Sequence, residues 1–234
     1  MNHQRGRYGK GPALFLLGAA LLSILPGTAS AADCLTIGVA AGAGATEEIM
    51  DIIRETGRRA GLCLEPVRAP QNRFAELHLD GEVLPLADPL PADAPMSALP
   101  TPLASFTGTL YWPADHPEPS GPHALIGVVR GQDWAMRAAL TRGAKPFAVR
   151  DNKQLFGMMT AGRLDGMILP ALSYRHFLAH YPALPRCSAK PLAELPLLFL
   201  LDRRHASLAP ALDQAVAALR QNGFIEKKFR KYEH

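Results

Sequence analysis

The sequence predicts an α/β fold, because short apolar strands alternate with amphipathic helices along most of the chain. The apolar stretch CLTIGVAAG (34–42) precedes ATEEIMDIIRETGRRAG (45–61), whose isoleucines recur at helical spacing. LCLEPV (62–67) predicts the next strand, and QNRFAELHL (71–79) predicts a short helix. A strand–helix–strand–helix order implies a parallel sheet with right-handed crossovers.

Two proline-rich segments interrupt this alternation. Repeated prolines exclude long regular elements from residues 80–102, and LASFTGTLYW (103–112) then alternates as a strand does. PADHPEPSGP (113–122) is the second break and the best candidate for a connection between two parts of the molecule.

The second half of the chain is more regular. Its patterns predict, in order, a strand at 124–129, a helix at 132–142, a strand at 145–150, a helix at 152–162, a strand at 164–169, a helix at 171–181, strands at 186–190 and 197–201, and closing helices on both sides of Asn222-Gly223.

The N-terminus predicts export. Arg5, Arg7 and Lys10 precede an apolar run at 13–24, and small residues then lead to Ala31. This order is typical of a secretory signal peptide that is cleaved after residue 31. The alternative is an uncleaved anchor, but the run is shorter than the roughly 20 apolar residues that a membrane-spanning helix needs.

Removal of residues 1–31 takes away three basic and no acidic residues, so the net charge of +4 falls to about +1. The mature chain has no basic stripe with interleaved aromatic residues, and we therefore expect no nucleic-acid partner. It is long enough to form one large domain or two smaller lobes.

Three cysteines remain in the mature chain. Cys34 begins the first predicted strand, and Cys63 begins the second. If those strands are parallel neighbours joined by one helix, the two sulfurs start at the same end of the sheet, which favours a Cys34–Cys63 disulfide in an exported protein. The alternative is three free thiols, with Cys187 unpaired in both cases.

Several segments together resemble the type 2 periplasmic solute-binding proteins, in particular extracellular family 3. LTIGVAAG resembles the opening strand of that family, and LIGVVRGQDW resembles the strand and loop that open its second lobe. AVRDNKQLFGMMTAGRLDGMIL resembles its strand–helix–strand sequence, and the last 30 or so residues resemble its closing helix pair. Residues 80–102 match least.

The resemblance implies two α/β lobes with a ligand cleft between them. The first lobe would combine residues 32–112 with the return segment 195–234, and the second would be 123–194, with 113–122 as a crossing. Open α/β sheets bind ligands at the carboxyl ends of their strands, which agrees with a cleft between two such lobes.

Four side chains are candidates in the first lobe. Arg73 could hold a carboxylate or phosphate, unless it is an ordinary surface arginine. Ser105, Thr107 and Tyr111 could line the cleft, with Tyr111 as a stacking wall, although such an aromatic side chain could instead pack a hinge.

Two loops are candidates in the second lobe. By the resemblance, the loop at 130–134 places backbone N–H groups and a side chain on the ligand, and residues 150–152 follow the next strand at the same edge. Either loop could instead be ordinary helix capping. The side chains named by this expectation are Arg130, Gln132, Asp133, Trp134, Arg150 and Asn152.

Two departures from the family indicate that the ligand is not an ordinary amino acid. Amino-acid binders carry an arginine after a threonine-containing segment, but residues 101–109 contain none. They also carry an acidic residue after the strand that here ends at Leu169-Pro170, and Pro170 offers no charge. An anion, an organic acid or a redox cofactor intermediate suits Arg73 and Arg130 better.

No catalytic motif stands out. The chain has no GxSxG, HExxH, Walker A or dinucleotide glycine pattern, and its histidines do not stand at metal-ligand spacing with a third ligand. We therefore expect no enzyme activity, no cofactor and no metal.

The prediction is a periplasmic protein that holds a small, anionic solute between two lobes for delivery to a membrane permease of the ABC type. The first alternative is an accessory periplasmic protein of the same fold that binds a partner protein of a respiratory or alcohol-oxidation system. The second, less favoured, is an exported enzyme on this scaffold.

Overall fold

A computed structural model describes residues 34–42, 44–178 and 180–232. The predicted signal peptide, residues 1–31, lies outside the described residues. Within the described ranges, no helix is both long and apolar enough to cross a membrane.

The elements follow the alternation that the sequence predicts. The strands are β1 (Leu35–Ala40), β2 (Leu64–Ala69), β3 (Gly81–Pro85), β4 (Met96–Ala98), β5 (Ala104–Pro113), β6 (Leu125–Val129), β7 (Lys145–Val149), β8 (Gly166–Pro170) and β9 (Cys187–Asp202). The helices are α1 (Thr46–Ala60), α2 (Asp133–Thr141), α3 (Asn152–Thr160), α4 (Ala171–Leu178), α5 (Ala209–Gln221) and α6 (Phe224–Phe229). Short 3₁₀ helices span Gln71–Glu76, Arg203–Leu208 and Arg230–Tyr232.

The strands of the described residues form one curled sheet with the order β2-β1-β3-β9-β5-β8-β6-β7, and β4 pairs with β9. β1 is parallel to β2, and β6 is parallel to β7 and β8, as the sequence pattern predicts; β1 is also parallel to β3, a strand that was not predicted. The first lobe consists of β1–β4, α1, α5 and α6, and the second consists of β6–β8 and α2–α4.

A long antiparallel ribbon of β5 and β9 belongs to both lobes. β5 pairs with β9 from Ala104 to Pro113, and its residues Gly108–Tyr111 also pair with β8 of the second lobe. The other end of β9 pairs with β3 of the first lobe. We infer that the chain crosses between the lobes along this ribbon, where the pairing register shifts between Gly108 and Thr109.

Three details differ from the sequence predictions. The proline-rich segment 80–102, for which no strand was predicted, contains the short strands β3 and β4. The strands expected at 186–190 and 197–201 are a single strand, β9, because Pro191 lies at the register shift and does not end the pairing. The segment 113–122 packs on the second lobe, where Pro119 lies against Gly166 at the start of β8.

Each lobe has its own hydrophobic core on both faces of the sheet. In the first lobe α1 buries Ile49, Ile52 and Ile53, and it carries acidic residues in its first turn and ends at Gly61 in the left-handed conformation. The second lobe packs α2 on one face and α3 with α4 on the other. This division of the core into separate clusters is what makes two lobes.

The predicted disulfide between Cys34 and Cys63 is confirmed. Leu35 and Leu64 are paired residues of parallel β1 and β2, so the cysteines that precede them lie side by side, with their Cα atoms 4.6 Å apart. Cys187, at the start of β9, is a free and half-buried thiol.

Candidate functional site

The carboxyl ends of the parallel strands in the two lobes face each other. β5 runs from the first lobe to the second, and β9 runs back. β3 is antiparallel to β9, so the parallel strands of the first lobe run toward the second lobe. β8 is antiparallel to β5, so the parallel strands of the second lobe run toward the first. The loops after β1, β2 and β3 therefore meet the loops after β6, β7 and β8, and this junction is the cleft. Strand ends of this kind supply loops and helix N-termini for a ligand site.

Direct contacts hold the two sides of the cleft together. Gln71 Nε2 donates to the Gly131 carbonyl at 2.8 Å, and Asn152 Nδ2 donates to the Gly42 carbonyl at 2.7 Å. Asp88, after β3, forms an ion pair with Arg137 on α2. The cleft is therefore closed in this structure.

Gly131 explains how the loop after β6 approaches the first lobe so closely. Its φ is +86°, a conformation that favours glycine. A Cβ built there would lie 3.3 Å from the backbone nitrogen of Asn72 and from Gln71 Cγ. The arginine–glycine turn predicted from the sequence is thus a point of contact between lobes.

Three buried polar atoms at the second lobe's edge have no hydrogen-bond partner. They are Gln132 Oε1, Trp134 Nε1 and Asn152 Oδ1, out of five such atoms in the described part of the chain. Such an unpaired buried atom costs about 1–3 kcal/mol, so this edge favours a solute or water that supplies the missing partners.

Asn152 is the most constrained of the three. It is 3% exposed, and its Nδ2 is committed to the Gly42 carbonyl. Turning the amide over would set its oxygen against that carbonyl oxygen, so Oδ1 must be the free end. Because Oδ1 accepts, the missing partner is a hydrogen-bond donor.

Helix capping accounts for one of the two loops and not the other. Asp151 caps α3, since its Oδ1 accepts the Gln154 N–H at 2.8 Å. Burial works to raise the pKa of Asp151, but this bond and the Arg150 guanidinium hold it below its ordinary value. At α2, by contrast, Gln132 makes no side-chain cap bond and Asp133 is an exposed residue of the first turn.

Of the three candidate arginines, two already have carboxylate partners. Arg73 Nε lies 3.2 Å from Glu76, and Arg150 Nε lies 2.8 Å from Asp151. Arg130 is exposed, and no ion pair involves it among the described residues. Arg130 is thus the arginine that remains available to an anion.

The ribbon hydroxyls are also engaged. Ser105 Oγ donates to Glu194 at 3.2 Å, and Thr107 Oγ1 donates to the same carboxylate at 3.4 Å. Thr107 and Glu194 are direct partners across β5 and β9. These two candidates form a cross-strand cluster in which both hydroxyls already donate to its own carboxylate, so neither hydroxyl is available as a donor to an anion.

Two aromatic candidates are buried inside the second lobe. Tyr111 is 6% exposed and stacks on Tyr174 with ring centres 3.8 Å apart, which agrees with the packing alternative and not with a stacking wall for a ligand. Burial raises the pKa of Tyr111. Trp134 is 7% exposed and packs against Gly108, where a Cβ would lie 2.6 Å from its ring. The Nε1–H group of Trp134 is buried and has no hydrogen-bond partner.

Sequence reasoning missed the role of α4. Leu172 is 5% exposed and belongs to the core cluster of the first lobe, although α4 belongs to the second. In addition, the α carbon of Ser173 and the side chain of His176 lie against Gly44. The available sequence signal was the apolar residue Leu172, which follows the strand end at Pro170, a place where the resemblance implies an acidic residue.

Gln71 was also missed as a cleft residue. It stands at the carboxyl end of predicted parallel strand β2, next to the candidate Arg73. Its position at a strand end was the available signal. Among the described residues there is no group of three or more histidine, cysteine, aspartate or glutamate side chains placed to hold a metal ion.

The architecture matches solved two-lobed structures over most of the chain. The GluR0 ligand-binding core in complex with L-glutamate is similar with a TM-score of 0.72 at 15% identity, covering 88% of this chain and 100% of that one. The substrate-binding protein of an amino acid ABC transporter has a TM-score of 0.68 at 14% identity, with coverages of 86% and 99%. This chain has the type 2 periplasmic-binding-protein fold.

Other type 2 structures extend the comparison. An ancestral amino acid-binding protein, described as a precursor of cyclohexadienyl dehydratase, has a TM-score of 0.68 at 14% identity and covers 86% of this chain and 96% of its own. No protein-family model matches the sequence, and no curated protein matches it. The type 2 fold is therefore established by structure, while the sequence has diverged.

Proposed function

We propose that this protein is an exported solute-binding protein that holds a small solute between its lobes for delivery to a membrane transporter. The observation that carries the proposal is the unpaired Oδ1 of buried Asn152, which lies in a cleft whose two sides touch. A solute that donates a hydrogen bond there would remove the cost of that orphan acceptor. The similar solved structures support the same class of role, since they include the substrate-binding protein of an ABC transporter.

The solute is a small anion that also carries a hydrogen-bond donor. The exposed guanidinium of Arg130 at the mouth of the cleft supports the negative charge, and Asn152 Oδ1 supports the donor. A hydroxy acid has both groups. An ordinary α-amino acid fits less well, because the chain after Pro170 continues with Ala171 and Leu172, where no carboxylate is available for an ammonium group.

A thermal-shift screen of the mature protein against hydroxy acids, dicarboxylates, oxyanions and amino acids tests the proposal. We expect a saturable rise in melting temperature with one group of hydroxy acids. Arg130→Gln should weaken that response about tenfold or more, because a charge-assisted hydrogen bond contributes about 1.5–3 kcal/mol. Arg163→Gln is the matched control, since Arg163 is exposed and precedes β8 at the opposite end of its lobe.

No shift with any compound of the panel would contradict solute binding. A shift that Arg130→Gln and Arg163→Gln leave equal would keep the solute but remove Arg130 from its site. A response to amino acids alone would contradict the proposed chemistry of the solute.

A second candidate function is that of an accessory protein that binds a partner protein instead of a solute. Leu172 favours it, because this side chain of the second lobe is already packed in the core of the first, so the lobes dock without a ligand. An empty screen, together with co-purification of one larger exported protein, would support this candidate over the first.

A further inference from the structure

A cavity lies where α4 of the second lobe meets the C-terminal helices of the first. It has a volume of about 240 Å³. We call it the junction pocket, and the lining residues that matter are Ser105, Phe106, Leu172, Arg175, Arg220 and Phe229. Drug-sized ligands occupy pockets of about 300–1,000 Å³, so an occupant of this one would be smaller.

One wall of the junction pocket is apolar and rigid. The rings of Phe106 and Phe229 meet edge to face with their centres 5.5 Å apart. Phe229 is 6% exposed and Leu172 is 5% exposed, so both are fixed by the core beneath them. This wall is suited to a flat or branched hydrocarbon group.

The rim of the pocket carries excess positive charge. Arg175 is exposed, and the ion pairs found among the described residues do not include it. Arg220 donates through Nη1 to the Pro102 carbonyl at 3.0 Å, and its Nε is 4.0 Å from Glu226. Two guanidinium groups thus face one lining carboxylate, at the limit of ion-pair distance.

The two hydroxyl groups that line the junction pocket are already hydrogen-bonded to other parts of the protein. Ser105 Oγ is occupied as a donor to Glu194, whose carboxylate does not line the pocket. The hydroxyl of Tyr232 lies 2.9 Å from both the Gly44 carbonyl oxygen and a Glu48 carboxylate oxygen, so its single proton is engaged within the first lobe. The two arginines are therefore the groups that would select an occupant.

We propose that the junction pocket binds a small carboxylate with an apolar body, such as an aromatic monocarboxylate. The carboxylate pairs with Arg175 and Arg220, and the apolar body packs against Phe106 and Phe229. Because Arg175 lies on α4 and Arg220 on α5, the occupant links the two lobes and stabilises their closed arrangement. This site is separate from the cleft and does not depend on the proposed solute.

Isothermal titration of the mature protein with benzoate and phenylacetate tests the junction pocket. Benzamide and phenylacetamide serve as uncharged probes, and inorganic phosphate as an anion without an apolar body. We expect saturable binding of at least one carboxylate, with no binding of its amide or of phosphate. Arg175→Gln and Arg220→Gln should each weaken binding tenfold or more, while Arg163→Gln should leave it unchanged.

Three results would overturn the proposal: no saturable binding of either carboxylate, equal binding in the wild type and in Arg175→Gln, or binding that only Arg130→Gln removes. The last result would assign the probe to the cleft. If Arg220→Gln unfolds the protein by losing its bond to Pro102, the exposed residue Arg175 decides alone. Hydroxy-acid binding that persists in Arg175→Gln keeps the cleft proposal independent of this outcome.

Discussion

The two sides of the cleft differ in what they offer a ligand. The first lobe presents mainly backbone, in the Gly42 carbonyl and the turn at Gly44, together with the amide of Gln71, which is already bonded across the cleft. The second lobe presents side chains with unused capacity, in Arg130 and Asn152. Under the proposed function, the first lobe would supply a backbone framework and the side chains of the second lobe would select the solute.

The largest expected effect concerns Leu172, which lies on the second lobe but packs in the first. Leu172→Ala should lower the free energy of unfolding by about 2–5 kcal/mol, because it leaves a cavity in a buried cluster. Urea denaturation followed by circular dichroism measures the loss. Leu178→Ala is the matched control on the same helix, since Leu178 is 42% exposed. Equal losses in the two variants would mean that α4 does not dock into the first lobe.

A smaller effect on stability is expected from substitution of Asp80, which links Thr36 of β1 to His205 in the first lobe. The Thr36 N–H donates to its carboxylate at 3.0 Å, and His205 Nε2 lies 2.8 Å away. Burial works to raise the pKa of Asp80, but these bonds hold it below its ordinary value. Asp80 therefore contributes stability above a pH of about 4, and this stability is lost as the pH falls through the lowered pKa.

Asp80→Asn should consequently cost about 1.5–3 kcal/mol at neutral pH, and the difference from wild type should shrink below a pH of about 4. The matched change in the second lobe, Asp151→Asn, should cost less, because asparagine also caps helices well. Urea midpoints of both variants across pH 3–7 test this prediction. A gap for Asp80→Asn that widens toward acid would contradict the assigned sign.

Local sequence patterns were enough to predict most of the secondary structure in both lobes. The period of the isoleucines in α1, the strand starts at Cys34 and Cys63, and the strand–helix order of the second lobe all depend on nearby residues, so they could be read from the sequence. The single strand β9 could not, because Pro191 and Pro196 indicate a break unless the pairing partner β5 is known.

The site was less predictable because its geometry depends on contacts between distant segments. The sequence pointed to the loop at 130–134 and to Asn152, but not to the bonds that join Gln71 to Gly131 and Asn152 to Gly42 across the cleft. Tyr111 was misjudged for the same reason: alternation along β5 does not reveal that Tyr174 covers its ring. Pairing of Arg73 and Arg150 with neighbouring carboxylates likewise depends on side-chain geometry.

The most direct test compares one residue from each side of the cleft by isothermal titration with the best hydroxy acid from the screen. Asn152→Ala should weaken binding about tenfold or more, since it removes a bond to the solute as well as the bond to Gly42. Gln71→Ala removes only a bond between the lobes, so it should weaken binding less than about fivefold. Equal losses, or a larger loss for Gln71→Ala, would contradict the claim that the second lobe selects the solute.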